Sequence, residues 1–230
     1  MSENHDVFDA RIQLPASIIV HGPSQSGKTE FVMDLILNMK SMVHPVPKYI
    51  VWFYGANTEI IEQLKKKSSV NIHFVQGLPD KGFESFYHNK KHTLFVVDDL
   101  LQEAIQDRNI TNLFCREGHH NNVSVVLIMQ DLFCSGTQRK TILRNAHYLC
   151  LFKNPLDMAG IYIIGQRIMP KHIREFLAIF EKATSSKHGY LFIDGKQSTP
   201  SNARLRTNIF GAYQKNFTIL KGDNGKESDA

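Results

Sequence analysis

Ser17 to Thr29 reads SIIVHGPSQSGKT, an apolar run that breaks into Gly22-x-x-x-x-Gly27-Lys28-Thr29. The run predicts a buried strand. The break predicts a loop with glycine at both ends, where backbone N–H groups can close around phosphate oxygens with no Cβ in the way. That is a P-loop, and its nucleotide-binding set is Gly22, Pro23, Ser24, Gln25, Ser26, Gly27, Lys28, Thr29 and Glu30. Lys28 is expected to reach the β- and γ-phosphates and the Thr29 hydroxyl to hold magnesium. The helix TEFVMDLILNM should aim its positive N-terminus at the same charge.

Thr93 to Asp99, TLFVVDD, is the second informative stretch. Its apolar residues carry two carboxylates to the carboxyl end of a strand, the edge of an open parallel sheet where ligands bind. This is a Walker B pattern. Asp98 is expected to bind magnesium, directly or through water. Asp99 either orients and deprotonates the attacking water or caps the helix LLQEAIQD that follows. A further apolar run, Val123 to Gln130 (VSVVLIMQ), ends abruptly in an amide. Gln130 can reach the γ-phosphate or the lytic water as a sensor, or it caps the strand.

The remaining chain alternates in the same way. Lys48 to Tyr54, Asn71 to Val75, His147 to Phe152 and Gly189 to Asp194 read as strands, and Arg204 to Phe210 as an edge strand. TEIIEQLKKK reads as an amphipathic helix. A helix after Walker B should run to about Cys115, and Pro170 should open the helix KHIREFLAIFEKAT at a position proline tolerates. Alternating strands and helices predict an α/β fold, a P-loop NTPase with a RecA-like, mostly parallel sheet flanked by helices and antiparallel additions at the C-terminal edge. The expected organisation is a mobile segment over 1–14, an ATPase domain over 15–220 and a disordered tail over 221–230.

With 230 residues the chain can bury a full α/β core as one domain. The N-terminus MSENHDVFDA is polar and acidic, and no apolar run reaches the roughly 18 residues of a membrane helix. Neither a secretory signal nor a membrane partner is expected. Three widely spaced cysteines, with no CxxC pair, suggest reduced thiols in the cytoplasm or nucleus. Of the net charge of +5, most lies from Lys171 onward, where ten Lys and Arg face six Asp and Glu. That balance is compatible with a nucleic-acid partner and does not establish one.

Taken together, GPSQSGKT, FVVDDL, GHHNNVSVVLIMQDLF, YLCLFKNP and RLRTNIF make the sequence resemble the FtsK-HerA type packaging ATPases. These belong to eukaryotic double-stranded DNA viruses and to Maverick/Polinton and adintovirus-like elements, relatives of the poxvirus packaging ATPase. The first two motifs are generic to P-loop ATPases; the other three, in this order and spacing, are specific. The resemblance implies a homo-oligomeric ring that hydrolyses ATP with Mg2+ to push double-stranded DNA into a capsid, docked on a capsid or portal vertex component. It implies a place in the host nucleus or cytoplasm and on the assembling virion. Gly22, Gly27, Lys28 and Thr29 match Walker A, Asp98 and Asp99 Walker B, and Gln130 the polar sensor. Many members of the wider superfamily carry Asp-Glu in Walker B, so the shorter Asp99 needs a water relay or a closer approach. The resemblance also implies an arginine finger from a neighbouring subunit, for which Arg139, Arg144 and Arg167 are candidates and Arg167 the favoured one. The competing readings are a P-loop nucleoside or nucleotide kinase and a nucleotide-binding scaffold without turnover.

Overall fold

Residues 8–56, 62–63, 71–88, 91–132, 135–210 and 214–217 are described by the structure, a computed structural model. Most of the expected helix TEIIEQLKKK, the first seven residues and the tail 221–230 lie outside the described residues. The strands are β1 (Ile12–Gln13), β2 (Ser17–His21), β3 (Val43–His44), β4 (Tyr49–Tyr54), β5 (Ile72–Gln76), β6 (Thr93–Asp98), β7 (Val123–Met129), β8 (Tyr148–Phe152), β9 (Tyr190–Asp194), β10 (Leu205–Thr207) and β11 (Lys215–Phe217). Nine of them form one sheet in the order β11-β10-β9-β8-β2-β7-β6-β4-β5. From β8 to β5 every neighbouring pair is parallel. β9, β10 and β11 then add antiparallel pairs. The expected fold class therefore holds: a mostly parallel α/β sheet of the P-loop NTPase kind.

Side chains of the central strands are buried on both faces, and their period of two sorts them into two cores. Ile18 and Val20 of β2, with Trp52, Val126, Ile128 and Cys150, meet Phe31, Val32, Leu35 and Ile36 of the helix α1 (Lys28–Leu37). Ile19, Phe53, Phe95, Leu127 and Leu149 face the other way, toward Ile110, Ile142, Ile161, Ile164, Phe176 and Phe180. Those last side chains come from the helices Arg108–Asn112, Arg139–Asn145, Met158–Ile168 and Ile173–Ala183.

Four expectations change. The segment up to residue 14 is not loose where it is described: β1 pairs with β3, and Ile12 is 1% exposed in the α1 core. The helix beginning at Arg108 does not stop near Cys115. It passes through a π-helical turn, Leu113–Glu117, into Gly118–Asn121, and left-handed Asn122 (φ 54°) turns it directly into β7. Met158–Ile168 is a helix where none was expected, capped by Asp157, whose Oδ1 accepts the Gly160 N–H at 3.1 Å. Its Gly165 lies so close to the next helix that a Cβ would sit 2.4 Å from Phe176 Cδ1. Finally, β10 is not the edge, because β11 pairs on its outer side.

Candidate functional site

The parallel strands stop together. His21, the last residue of β2, stands opposite Met129 of β7 and Leu151 of β8, while Asp98 of β6 stands opposite Tyr54 of β4. β7 lies between β2 and β6. The P-loop and the two carboxylates therefore leave the sheet on either side of one strand, and Gln130 follows directly on that strand's last residue, Met129.

Between β2 and α1 the loop takes backbone conformations that few residues adopt. Gln25 has φ 63° and Gly27 φ 102°. A Cβ on Gly22 would meet Ser26 Oγ at 2.6 Å and Phe152 Cβ at 2.7 Å, so the first glycine permits a close approach and the second a left-handed turn. Lys28 is 7% exposed and its Nζ donates to the Pro23 carbonyl at 2.7 Å, folding the cation over the loop. The Thr29 hydroxyl donates to Asp98 Oδ2 at 3.3 Å. Glu30 lies exposed in the first turn of α1. Ser24 Oγ reaches Gln130 Oε1 at 3.4 Å.

Ser24, Gln25, Lys28, Thr29, Asp98, Asp99 and Gln130 line one cleft of about 250 Å³ with Ala56, Leu101 and Ile128. Burial pushes the Asp98 carboxyl up to about 6, the Thr29 hydrogen bond partly opposing it and the Asp99 charge adding to it. Burial also lowers the Lys28 ammonium, against the attraction of Asp98, Glu30 and Asp99. A buried carboxylate beside a hydroxyl supplies the hard oxygen donors magnesium prefers, and a bound cation would offset the charge that burial disfavours. Thr29 and Asp98 therefore fit a magnesium ion.

Asp99 does not cap the following helix. Leu101–Ala104 has Leu100 at its N-cap without a side-chain cap bond, and Asp99 itself is left-handed, φ 57°. Its carbonyl fits only because residue 55 is glycine: a Cβ there would lie 2.2 Å from Asp99 O. Gly55 had no signal of its own in the sequence, since its value lies in what it leaves room for.

Arg167 does not join this cleft within one chain. The Met158–Ile168 helix starts beyond the carboxyl end of β8 and runs back along the sheet. Arg167, in its last turn, lines a separate cavity of about 260 Å³ with Arg144, His147 and Gly195, at the amino end of β8. Arg139 opens the helix after β7 and donates from Nη1 to the Leu132 carbonyl at 3.1 Å, so it stands on the same edge as the cleft. Another residue overlooked in the sequence is His188, whose Nδ1 lies 3.0 Å from the Ser26 carbonyl oxygen.

No protein-family model matches the sequence, and no curated protein matches it. Solved structures do. The genome packaging NTPase B204 from Sulfolobus turreted icosahedral virus 2, in complex with AMPPCP, matches with TM-score 0.54 at 14% identity, over 89% of this chain and 98% of that one. The same protein in complex with ATP-gammaS matches with TM-score 0.51 at 14% identity, over 93% of this chain and 100% of that one. At such identity the likeness is one of fold. It gives this chain the architecture of a P-loop NTPase over nearly its whole length. Among the described residues, no helix is long and apolar enough to cross a membrane.

Proposed function

We propose that this chain is an ATP-hydrolysing motor that translocates double-stranded DNA, packaging a viral or virus-like genome into a capsid. The observation that carries the hydrolytic half is the convergence of Lys28, Thr29, Asp98, Asp99 and Gln130 on one cleft, from three stretches of sequence. A scaffold that only holds nucleotide needs the first two. A carboxylate and an amide beyond the metal pair are what activation of water requires. The packaging half is supported by the sequence motifs shared with packaging ATPases and by the fold shared with a genome packaging NTPase.

In this reading Lys28 leaves the Pro23 carbonyl for the phosphate oxygens, and the loop N–H groups fix them. Thr29 and Asp98 hold magnesium, which supplies charge neutralisation at the phosphates when bound. Asp99 accepts the proton of the attacking water and Gln130 orients it for in-line displacement. The missing positive charge comes as an arginine from a neighbouring copy in a ring. Arg167 serves there where the amino edge of one copy's sheet packs over the carboxyl-edge cleft of the next.

The test is steady-state ATP hydrolysis with and without double-stranded DNA, beside Lys28→Ala as the blank. Stimulation by DNA of any sequence, weakening with salt as phosphate contacts do, is the expected result. Transfer of the γ-phosphate to a nucleoside, with no effect of DNA, would overturn it in favour of a kinase.

A further inference from the structure

His188 lies 162 residues from the P-loop in sequence and touches it directly. Its ring packs on Gly27: a Cβ added there would lie 3.0 Å from His188 Nδ1 and 3.2 Å from His188 Cβ. The partner of Nδ1 is the carbonyl oxygen of Ser26 at 3.0 Å, and a carbonyl only accepts, so Nδ1 carries the hydrogen. Residue 188 is left-handed, φ 58°. A non-glycine residue held there is strained and stays only where its surroundings dictate it. The surroundings here are explicit. Thr184 Oγ1 donates to the Phe180 carbonyl at 2.8 Å and Gly189 N–H to the Ser186 carbonyl at 2.9 Å, tying the turn to the end of the Ile173–Ala183 helix. A Cβ on Gly189 would sit 2.8 Å from the Ala183 carbonyl oxygen, so the turn closes only with glycine next to His188.

We infer that His188 is a positioning residue for the phosphate-binding loop. It holds the Ser26 carbonyl on the outer side of the loop, which turns the following N–H groups inward to the phosphates. The inference rests on the nucleotide reading above. It adds a residue that neither the P-loop pattern nor the Walker B pattern contains. It also makes Gly27 doubly constrained, by its own φ of 102° and by the ring above it.

Two substitutions separate the hydrogen bond from the backbone. His188→Gly keeps the left-handed conformation without strain and removes the donor. His188→Asn tolerates the same conformation and keeps an N–H donor. In the nucleotide-free protein, amide hydrogen exchange over Gln25 to Lys28 should be about five- to tenfold faster in His188→Gly and close to wild type in His188→Asn. In ATP hydrolysis, His188→Gly should raise KM by about five- to tenfold with kcat within about twofold, and His188→Asn should recover most of it. Unchanged exchange and KM in His188→Gly, in a wild type that binds ATP, would overturn the inference alone. So would an asparagine variant as impaired as the glycine one. A wild type that binds no ATP would overturn the nucleotide reading and the role of His188 with it, whatever the exchange rates.

Discussion

The two ends of the same parallel strands are built on opposite terms. At the amino end most groups are tied within the chain, although His92 Nδ1 is buried with no hydrogen-bond partner among the described residues and Asn122 is left-handed. Ala16 N–H donates to Ser124 Oγ at 3.1 Å, Ser17 N–H to His147 Nδ1 at 3.0 Å, Gly195 N–H to the His147 carbonyl at 2.8 Å and Thr93 N–H to the Asn122 carbonyl at 3.0 Å. At the carboxyl end the polar groups outnumber their partners. His21 Nδ1 and Ser26 Oγ are buried with no hydrogen-bond partner among the described residues, Asp98 and Lys28 are both buried, and Gln25, Gly27, Asp99 and His188 take left-handed conformations. Unmet polar capacity and backbone strain cost stability. They are more numerous at this edge than at the other, as expected of a fold that gives up stability for a ligand there.

The largest break in that contrast should come from Lys28→Ala. Hydrolysis of ATP should fall on the order of a thousandfold, yet the thermal midpoint should not drop, because a cation disfavoured by burial is removed. Calorimetry beside an ATPase assay reads both. Asp99→Asn should slow hydrolysis about a hundredfold while equilibrium ATP binding stays within about threefold. Normal turnover in that variant would remove Asp99 as the base.

Asp98→Asn sharpens the comparison through pH. The Asp98 carboxyl titrates near 6 in the folded protein against an ordinary value of 3.8. Between these values the unfolded chain is ionised while the folded one keeps its proton, so stability falls as pH rises through the window and the loss is complete above it. In magnesium-free buffer at neutral pH, Asp98→Asn should therefore stabilise the protein by about 3 kcal/mol, with the gain gone once both states are protonated at low pH. The smallest effect belongs to the other end. Ser124→Ala strips the acceptor from a buried N–H and should destabilise by about 1 kcal/mol, with kcat/KM within about twofold of wild type. An equal loss of activity there would mean that the two ends are not independent.

What the sequence made legible follows the same division. β2, β6 and β7 are apolar runs ended by polar residues, so the strands and the groups at their carboxyl ends, Lys28, Asp98, Asp99 and Gln130, could all be read from pattern. The Met158–Ile168 helix could not, since Gly160 and Gly165 weaken its propensity and Gly165 is there for Phe176, a partner outside the helix. Without that helix the edge at which Arg167 emerges was also hidden. β11 is a short polar KNF with no alternation to betray it, which left β10 looking like the margin. His188 carries no local signal, because its meaning lies entirely in a contact across the fold.

The position of β2 also sets an order of events during synthesis. Its partners are β7, with Ser17 opposite Val125, and β8, with Ile18 opposite Tyr148. The P-loop strand leaves the ribosome among the first and waits for more than half of the chain before either flank is covered. A nascent chain halted at Asn122 contains the whole Walker A and Walker B sequences and none of the sheet that joins them. The sheet around the P-loop strand therefore closes late, with its last parallel strand, β8.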